Sequence, residues 1–502
     1  MSRLRILSYA INGRGMGHLV RQLAILRWIR RICAVIDQPV ELWLLTSSEA
    51  DTLARREGIP ALKMPSKAML RDAGIQPARY LRVARTWTLN TVANLAPDLL
   101  IVDTFPGGSF GELIAALELA EKRVLVARRV RPDFAAQSGY QALLPLYDTV
   151  IRPDSEGTGP ILIREREELL SREAARAALG IPAGQQSVYL SLGGGGDARA
   201  SELLPRLLRR LREAGHFVVV GAGPLYDGEE VRGEGITWLD RYVPIEVLPG
   251  IDKAISAGGY NSFHELMFVG IPTVFLPQAR IADDQLERVQ RAVDAGAGLL
   301  AKSEKEAVAL LDKLPGNPEA CRALAATNGA SQAALEVLSQ VLPRPQLEQA
   351  IGVLQGDVLR WMHATKHPKD ALELIRLFAS GECMQRAIAL FEQTQIPLEV
   401  AVNLCKALSR KFPTAEPEDL LQAIETLFPV WSNFEDWMGA VTLLRAVPTQ
   451  RNYAISAFSA DMARWLSSEE DLFDALRDFS HREGNGRMPV AGVLRQFISG
   501  CA

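Results

Sequence analysis

Three alternating glycines, Gly13, Gly15 and Gly17, run directly into His18 and then into a helical pattern. The glycines let the backbone turn tightly and approach a ligand. The helix start behind them offers unpaired N–H groups to an oxygen-rich group. An imidazole at that junction titrates near neutrality and can take a proton; the structural alternative is a buried, hydrogen-bonded histidine. The apolar run Leu99 to Val102 ends in Asp103, a carboxylate just beyond a strand and on the edge that carries the His18 loop. Asp103 there either orients His18 and stabilises its protonated form, as in a His–carboxylate dyad, or closes an Asx-type turn.

A second constellation lies at Ser256-Ala257-Gly258-Gly259-Tyr260-Asn261-Ser262-Phe263-His264-Glu265. It follows an apolar run and opens a helix, for which Asn261 or Ser262 is the expected cap. Free N–H groups at such a start suit a phosphate. Glu265, about one turn in, can accept hydrogen bonds from two neighbouring hydroxyls, as of a ribose. Ser262 followed three residues later by Glu265 is equally a capping box, which needs no ligand. Gly193, Gly194, Gly195 and Gly196, directly after Ser191-Leu192, form a third close-approach loop or a plain flexible turn.

These residues need strands and helices to hold them. Leu4 to Ala10 reads as a strand, and Leu19, Leu23, Leu26 and Ile29 as one helix face. Val40 to Leu45, Leu99 to Val102 and Val124 to Ala127 follow as strands, with room for crossover helices between them. The rhythm breaks at Pro153 to Pro160 and a charged, helix-like run from Arg164 to Leu179. It restarts with strands at Val188 to Leu192, Phe217 to Val220, Ile236 to Leu239, Ala254 to Ser256 and Thr273 to Leu276, and helices near 200–214, 262–269 and 285–295. The expected fold is α/β: two doubly wound domains, 1–155 and 156–344, facing each other across a linker. Ligands then bind in the cleft beyond the strands' carboxyl ends. From Leu342-Pro343-Arg344-Pro345 onward the strand signal vanishes. Residues 345–502 read as an all-α domain of unknown role, with Trp361, Trp431, Trp437 and Trp465 as helix-packing core.

Composition sets the outer bounds. The 502 residues are 48% hydrophobic and 23% charged, ordinary for a soluble globular chain of two or three domains. Five scattered cysteines without a CxxC pair suggest neither a disulfide framework nor a zinc site. The N-terminus lacks the character of a signal peptide and no run of about 18 apolar residues occurs, so a cytoplasmic protein is expected. Cut at residues 150 and 344, the net charge of −3 resolves into +7, −5 and −5. A basic first third suggests an anionic partner on that side, unless it is only a solvated face.

Taken together, the motifs resemble the GT-B nucleotide-sugar glycosyltransferases. Tyr242-Val243-Pro244-Ile245-Glu246-Val247-Leu248, then Gly259 to Ser262, Glu265, Gly270, Pro272 and Asp284-Gln285, resemble the donor-binding box of plant-type UDP-sugar transferases. Gly15, Gly17, His18 and Arg21 resemble the N-terminal loop of the bacterial N-acetylglucosaminyltransferase that forms lipid II. The resemblance spans residues 1 to about 340 in architecture and some 60 residues in motif. Departures from the plant-type box are Ile245 for its glutamine, Ala257 for a histidine that touches diphosphate, and a longer spacing from Pro277 to Asp284.

The resemblance implies two facing Rossmann-like domains, with the acceptor on the N-terminal one and the nucleotide sugar, a UDP-sugar, on the second. No resident cofactor or metal is implied, because helix N-termini neutralise the leaving diphosphate. Tyr242 and Val243 would meet the base, Gly193, Gly194, Gly259, Asn261 and Ser262 the diphosphate, Glu265 the ribose, and Asp284 and Gln285 the sugar. His18, backed by Asp103 and flanked by Gly15 and Gly17, would deprotonate the acceptor, giving displacement with inversion. A nucleotide-sugar hydrolase with water as acceptor fits the same loop, and so does a sugar-nucleotide-binding scaffold whose helical domain recruits a protein. The excess arginines Arg79, Arg82, Arg85, Arg128, Arg129 and Arg131 are not needed by the donor. They point to an anionic acceptor or to peripheral contact with anionic lipid at the inner face of the membrane, and nucleic acid is not an expected partner.

Overall fold

Leu4–Ala10, buried along almost its whole length, is the central strand β1 of a parallel sheet. The computed structural model describes residues 2–431 apart from 12–14, 155–156, 194–197, 224, 240–242, 279–282, 366–367, 379–380 and 395–397, with a few more between 455 and 463. β1 pairs on one side with β2 (Val40–Thr46), Ile6 opposite Leu42, and on the other with β4 (Leu99–Asp103), Ile6 opposite Leu99. With β3 (Ala61–Lys63), β5 (Lys122–Val126) and β6 (Thr149–Ile151) the order is β3-β2-β1-β4-β5-β6. Strands buried on both faces read as continuous apolar runs, which is why β1 and β4 were legible.

The second sheet repeats this order. It comprises β7 (Ser187–Ser191), β8 (Phe217–Val220), β9 (Ile236–Trp238), β10 (Lys253–Ser256), β11 (Thr273–Phe275) and β12 (Gly298–Leu300). They lie as β12-β11-β10-β7-β8-β9, all parallel. Each half is thus a Rossmann-like sheet whose strand direction of travel reverses between its first and fourth strands, β1 and β4 or β7 and β10. Chain segments leaving those strands diverge and open a crevice. Leu7, Leu45, Leu100, Val102 and Leu125 build one core, and Leu190, Leu204, Leu208, Val218 and Ile255 the other.

Two expectations change. Helix α1 (Gly17–Val35) does not bury a single face: Arg21, Gln22, Arg27 and Arg31 are buried along with its leucines. Nor is Arg164 to Leu179 one helix. Only a short 3₁₀ turn, Arg166–Glu168, and the helix Arg172–Leu179 form. The intervening charges turn inward instead. Arg27 donates to Glu168 at 2.6 Å and also pairs with Glu57, Arg31 pairs with Glu168, and Arg164 bridges Glu57 (2.8 Å) and Glu246 (2.7 Å). Buried charges persist only when paired in this way, and these pairs tie α1 to the segment that enters the second half.

The chain divides into two compact units, Met1–Cys33 with Gln38–Glu348, and Ala34–Asp37 with Gln349–Ala502. Helices of the second include Asp357–Ala364, Gly381–Thr394, Leu398–Lys411 and Pro417–Trp431. Leu374, Met384, Leu408 and Leu421 are fully buried there, and Trp361 is buried as expected of core. The Trp431 side chain, Trp437 and Trp465 lie outside the described residues. The Pro343–Pro345 stretch, expected as a linker, leads straight into the helix Arg344–Val353, since proline is tolerated in a first turn.

Candidate active site between the two halves

At the reversal point of the first sheet, Tyr9 lies opposite Val102, so the ends of β1 and β4 are side by side. β1 leads to the glycine loop and α1, and β4 delivers Asp103. His18 Nδ1 hydrogen-bonds Asp103 Oδ2 in a very short contact. Arg21, one turn on, grips the same carboxylate with Nε to Oδ1 at 2.7 Å and Nη2 to Oδ2 at 2.6 Å. Gln22 adds a bond to Oδ1 at 3.3 Å and is itself held by Ser8 at 2.7 Å. Thr104, with its backbone in the left-handed region at φ 61°, donates to Oδ2 at 3.2 Å.

Charge follows from this geometry. Burial alone would raise the Asp103 carboxyl, but the Arg21 guanidinium and then His18 hold it well below the usual range, so it is ionised at neutral pH. Burial pushes the His18 imidazole below its ordinary value, against the opposing pull of Asp103. A neutral imidazole that donates an Nδ1–H hydrogen bond to Asp103 keeps the Nε2 lone pair free to accept a proton. The His18 side chain retains 15% exposure while Asp103 has none, so only the imidazole can meet a ligand.

Two glycines have no close neighbour among the described residues. A Cβ on Gly17 would meet nothing within 4 Å, and one on Gly193, at φ 119°, likewise nothing. Gly15 accepts from Ser48 through its carbonyl. Gly13 and Gly194 lie outside the described residues.

In the second half, β10 runs through Ala257 and Gly258 into the helix Tyr260–Val269. Its cap is Gly259, with no side-chain capping bond, which corrects the expected cap at Asn261 or Ser262. The helix begins three residues earlier than that capping box requires, so Glu265 sits a turn deeper. Gly258 is required by the fold: its φ is 74°, and a Cβ would lie 2.7 Å from Val289. Gly259 has no such neighbour nearer than Gln285 Nε2 at 3.9 Å. Asn261 Oδ1 is buried with no hydrogen-bond partner among the described residues, an acceptor left over at a helix start. Glu265 is buried, and burial alone pushes its carboxyl up to about 8.

The other expected donor residues are placed differently. Asp284 caps the helix Gln285–Asp294 by accepting from Glu287 N at 3.0 Å. Gln285 Oε1 accepts from Gln278 N at 2.9 Å, and Gln278 in turn reaches the Leu192 carbonyl beside Gly193. Both side chains thus accept from backbone N–H groups. Val243 is buried at the head of the 3₁₀ turn Pro244–Gly250. Tyr242 lies outside the described residues.

Sequence reasoning missed the residues that join the halves. The Tyr260 ring lies under the Arg21 guanidinium at 4.9 Å and near that of Arg288 at 5.6 Å. Arg128, after β5, donates to Asp283 at 2.6 Å, and Arg288 donates to the same oxygen at 2.8 Å. Buried His264 donates from Nδ1 to the Tyr260 carbonyl and places Nε2 3.2 Å from Asp154. Of the basic run, Arg128 is buried, whereas Arg129 and Arg131 remain exposed and pair with Glu287 and Asp133. The only available signal was Arg288 lying one helical turn past Asp284.

Two facing Rossmann-like sheets form the GT-B arrangement. No family model matches the chain. Among curated proteins it is similar to the UDP-N-acetylglucosamine–N-acetylmuramyl-(pentapeptide) pyrophosphoryl-undecaprenol N-acetylglucosamine transferase of Streptomyces avermitilis. The identity is 27% over 202 residues, 37% of this chain and 54% of that protein. The same-named protein of Clavibacter sepedonicus is 28% identical over 159 residues, 30% of this chain and 42% of that one. The chain thus spans about half the length of the curated relatives it matches. Among solved structures, the Streptomyces sp. SF2575 glycosyltransferase SsfS6 complexed with thymidine diphosphate aligns with a TM-score of 0.49 at 18% identity. That alignment covers 67% of this chain and 100% of the other.

Proposed function

We propose that the protein is a glycosyltransferase that moves a sugar from a nucleotide sugar, a UDP-sugar, to an acceptor hydroxyl. The carrying observation is that Arg21, which grips the dyad carboxylate, packs on Tyr260, the first residue of the glycine-capped helix of the other half. A proton acceptor and an anion-binding helix start are thereby separated by about one side chain. His18 Nε2 takes the acceptor hydroxyl proton, the oxygen attacks the anomeric carbon, and the bond to the phosphate oxygen breaks. The nucleoside diphosphate leaves with the electron pair, with inversion, while ionised Asp103 stabilises the imidazolium. The helix start at Gly259 and the side-chain amide of Asn261, donating through Nδ2, face the diphosphate, and Glu265 the ribose. The curated relatives, named as UDP-N-acetylglucosamine-dependent transferases, support the donor class.

The test is incubation with UDP-sugars, with and without lipid and carbohydrate acceptors, following UDP release and sugar transfer. Acceptor-dependent release supports transfer. Release that acceptor does not raise assigns the site to hydrolysis, and no release under any condition assigns it to a binding scaffold.

A peripheral contact with anionic lipid belongs to the same reading. The helix Pro77–Leu95 carries no acidic residue and presents Arg79, Arg82 and Arg85 to solvent. Val83, Trp87 and Leu89 on it, and Met69 and Ile75 before it, are large apolar side chains left exposed. A cavity of about 790 Å³, lined by Trp43, Leu62, Val83, Trp87 and Leu95, opens on the same helix, and neither His18 nor Asp103 lines it. Apolar rings beside unpaired arginines suit a membrane surface. No helix among the described residues is long and apolar enough to cross a membrane.

A further inference from the structure

We infer that Arg128 and Arg288 form a two-armed anion clamp for the phosphoryl oxygens of a nucleoside diphosphate, with Asp283 as its built-in counter-ion; this rests on the nucleotide-sugar reading above. Both guanidiniums converge on one atom, Asp283 Oδ1, from opposite halves: Arg128 Nη1 at 2.6 Å and Arg288 Nη2 at 2.8 Å. Their side chains are 9% and 4% exposed. Two buried guanidiniums share one carboxylate at hydrogen-bond distance, a local surplus of positive charge in which buried Asp154 is the next acid near Arg288. A surplus of that kind is costly unless a further anion arrives.

Position says which anion. Arg288 Nη1 donates at 2.9 Å to the carbonyl of Gly258, which directly precedes the cap of the helix Tyr260–Val269, and its guanidinium lies against the Tyr260 ring. It therefore stands beside the helix start where the backbone N–H groups are unpaired. A diphosphate there gains one fixed cation from its own half and a second from the acceptor half. Charge that develops on the leaving group then meets preorganised donors. Asp283 holds both arms in place and competes with the ligand for them.

That competition gives a signed test. UDP, uridine and inorganic pyrophosphate are titrated calorimetrically into the full chain and into Arg128→Gln, Arg288→Gln, Arg288→Lys and Asp283→Asn, with thermal melts to establish folding. Each Arg→Gln variant should weaken UDP binding by at least 10-fold and leave uridine unchanged, and Arg288→Lys should recover part of the loss. Asp283→Asn should tighten UDP and pyrophosphate binding several-fold although it removes an ion pair. Unchanged UDP affinity in both folded Arg→Gln variants overturns the clamp and leaves the nucleotide reading standing. Weaker UDP binding in folded Asp283→Asn overturns the counter-ion role. Wild-type binding of pyrophosphate but of no uridine compound, still lost in the Arg→Gln variants, upholds the clamp and removes the nucleotide reading; binding of none of them removes both.

Discussion

Arg21 holds both oxygens of Asp103, at 2.7 and 2.6 Å, in a fully buried two-point ion pair. The carboxylate that backs His18 is thereby fixed in orientation and charge before any ligand arrives. His18→Ala should lower sugar transfer on the order of 10²–10⁴-fold and leave UDP affinity unchanged, as measured by steady-state rates beside titration. Equal loss of binding would contradict the separation of roles.

Removing Arg21 should act on stability first. Arg21→Gln leaves Asp103 buried with only neutral hydrogen-bond partners and His18, at a cost of about 3–5 kcal/mol in urea unfolding. Because the folded Asp103 carboxyl is depressed, its contribution is present above the unfolded value of about 3.9 and lost as pH falls below it. The variant should therefore show a shallower loss of stability in acid than the wild type.

Glu265 carries a pH prediction from a shift in the opposite direction. Its carboxyl is raised to about 8 by burial, so the form that accepts from two ribose hydroxyls is the minor one at pH 7. UDP affinity should rise about 9-fold from pH 7 to 9 as that form fills from roughly a tenth to nine-tenths. Glu265→Gln should bind more weakly at pH 9 with a flat profile. A flat wild-type profile would remove Glu265 from the ribose site.

The glycines should separate fold from ligand. Gly258→Ala forces a left-handed residue against Val289 and should lower the melting temperature measurably. Gly17→Ala meets open space and should melt as the wild type does while losing turnover. Comparable melting losses in both would contradict this division.

For the exposed helix, Trp87→Ser with Val83→Ser should abolish co-sedimentation with vesicles containing phosphatidylglycerol. Arg82→Gln with Arg85→Gln should leave only salt-insensitive residual binding. Wild-type sedimentation that does not depend on lipid charge would rule out the electrostatic part.

What the sequence disclosed was local. Gly17-His18 and Gly258-Gly259 announce their turns because glycine chemistry is written within a few residues, and β1, β4, β7 and β10 are short runs dominated by apolar residues. β3, β6 and β12 are short and only partly buried, with mixed sequences that carry little strand signal. Arg164, Glu165 and Glu168 imitate a solvated helix because nothing nearby in sequence reveals that Arg27, Arg31 and Glu57 await them. Asp283 and Arg288 stayed hidden for the same reason: their partner Arg128 lies 155 residues from Asp283 in the chain.

Tyr260 meets guanidiniums from both halves through its ring. A ring face has no fixed acceptor direction, so a cation can glide across it by an ångström or so at little cost, whereas a two-point ion pair breaks under the same displacement. Tyr260 is thus a bearing surface: its contacts with Arg21 and Arg288 tolerate a small displacement of either guanidinium that a two-point ion pair would not.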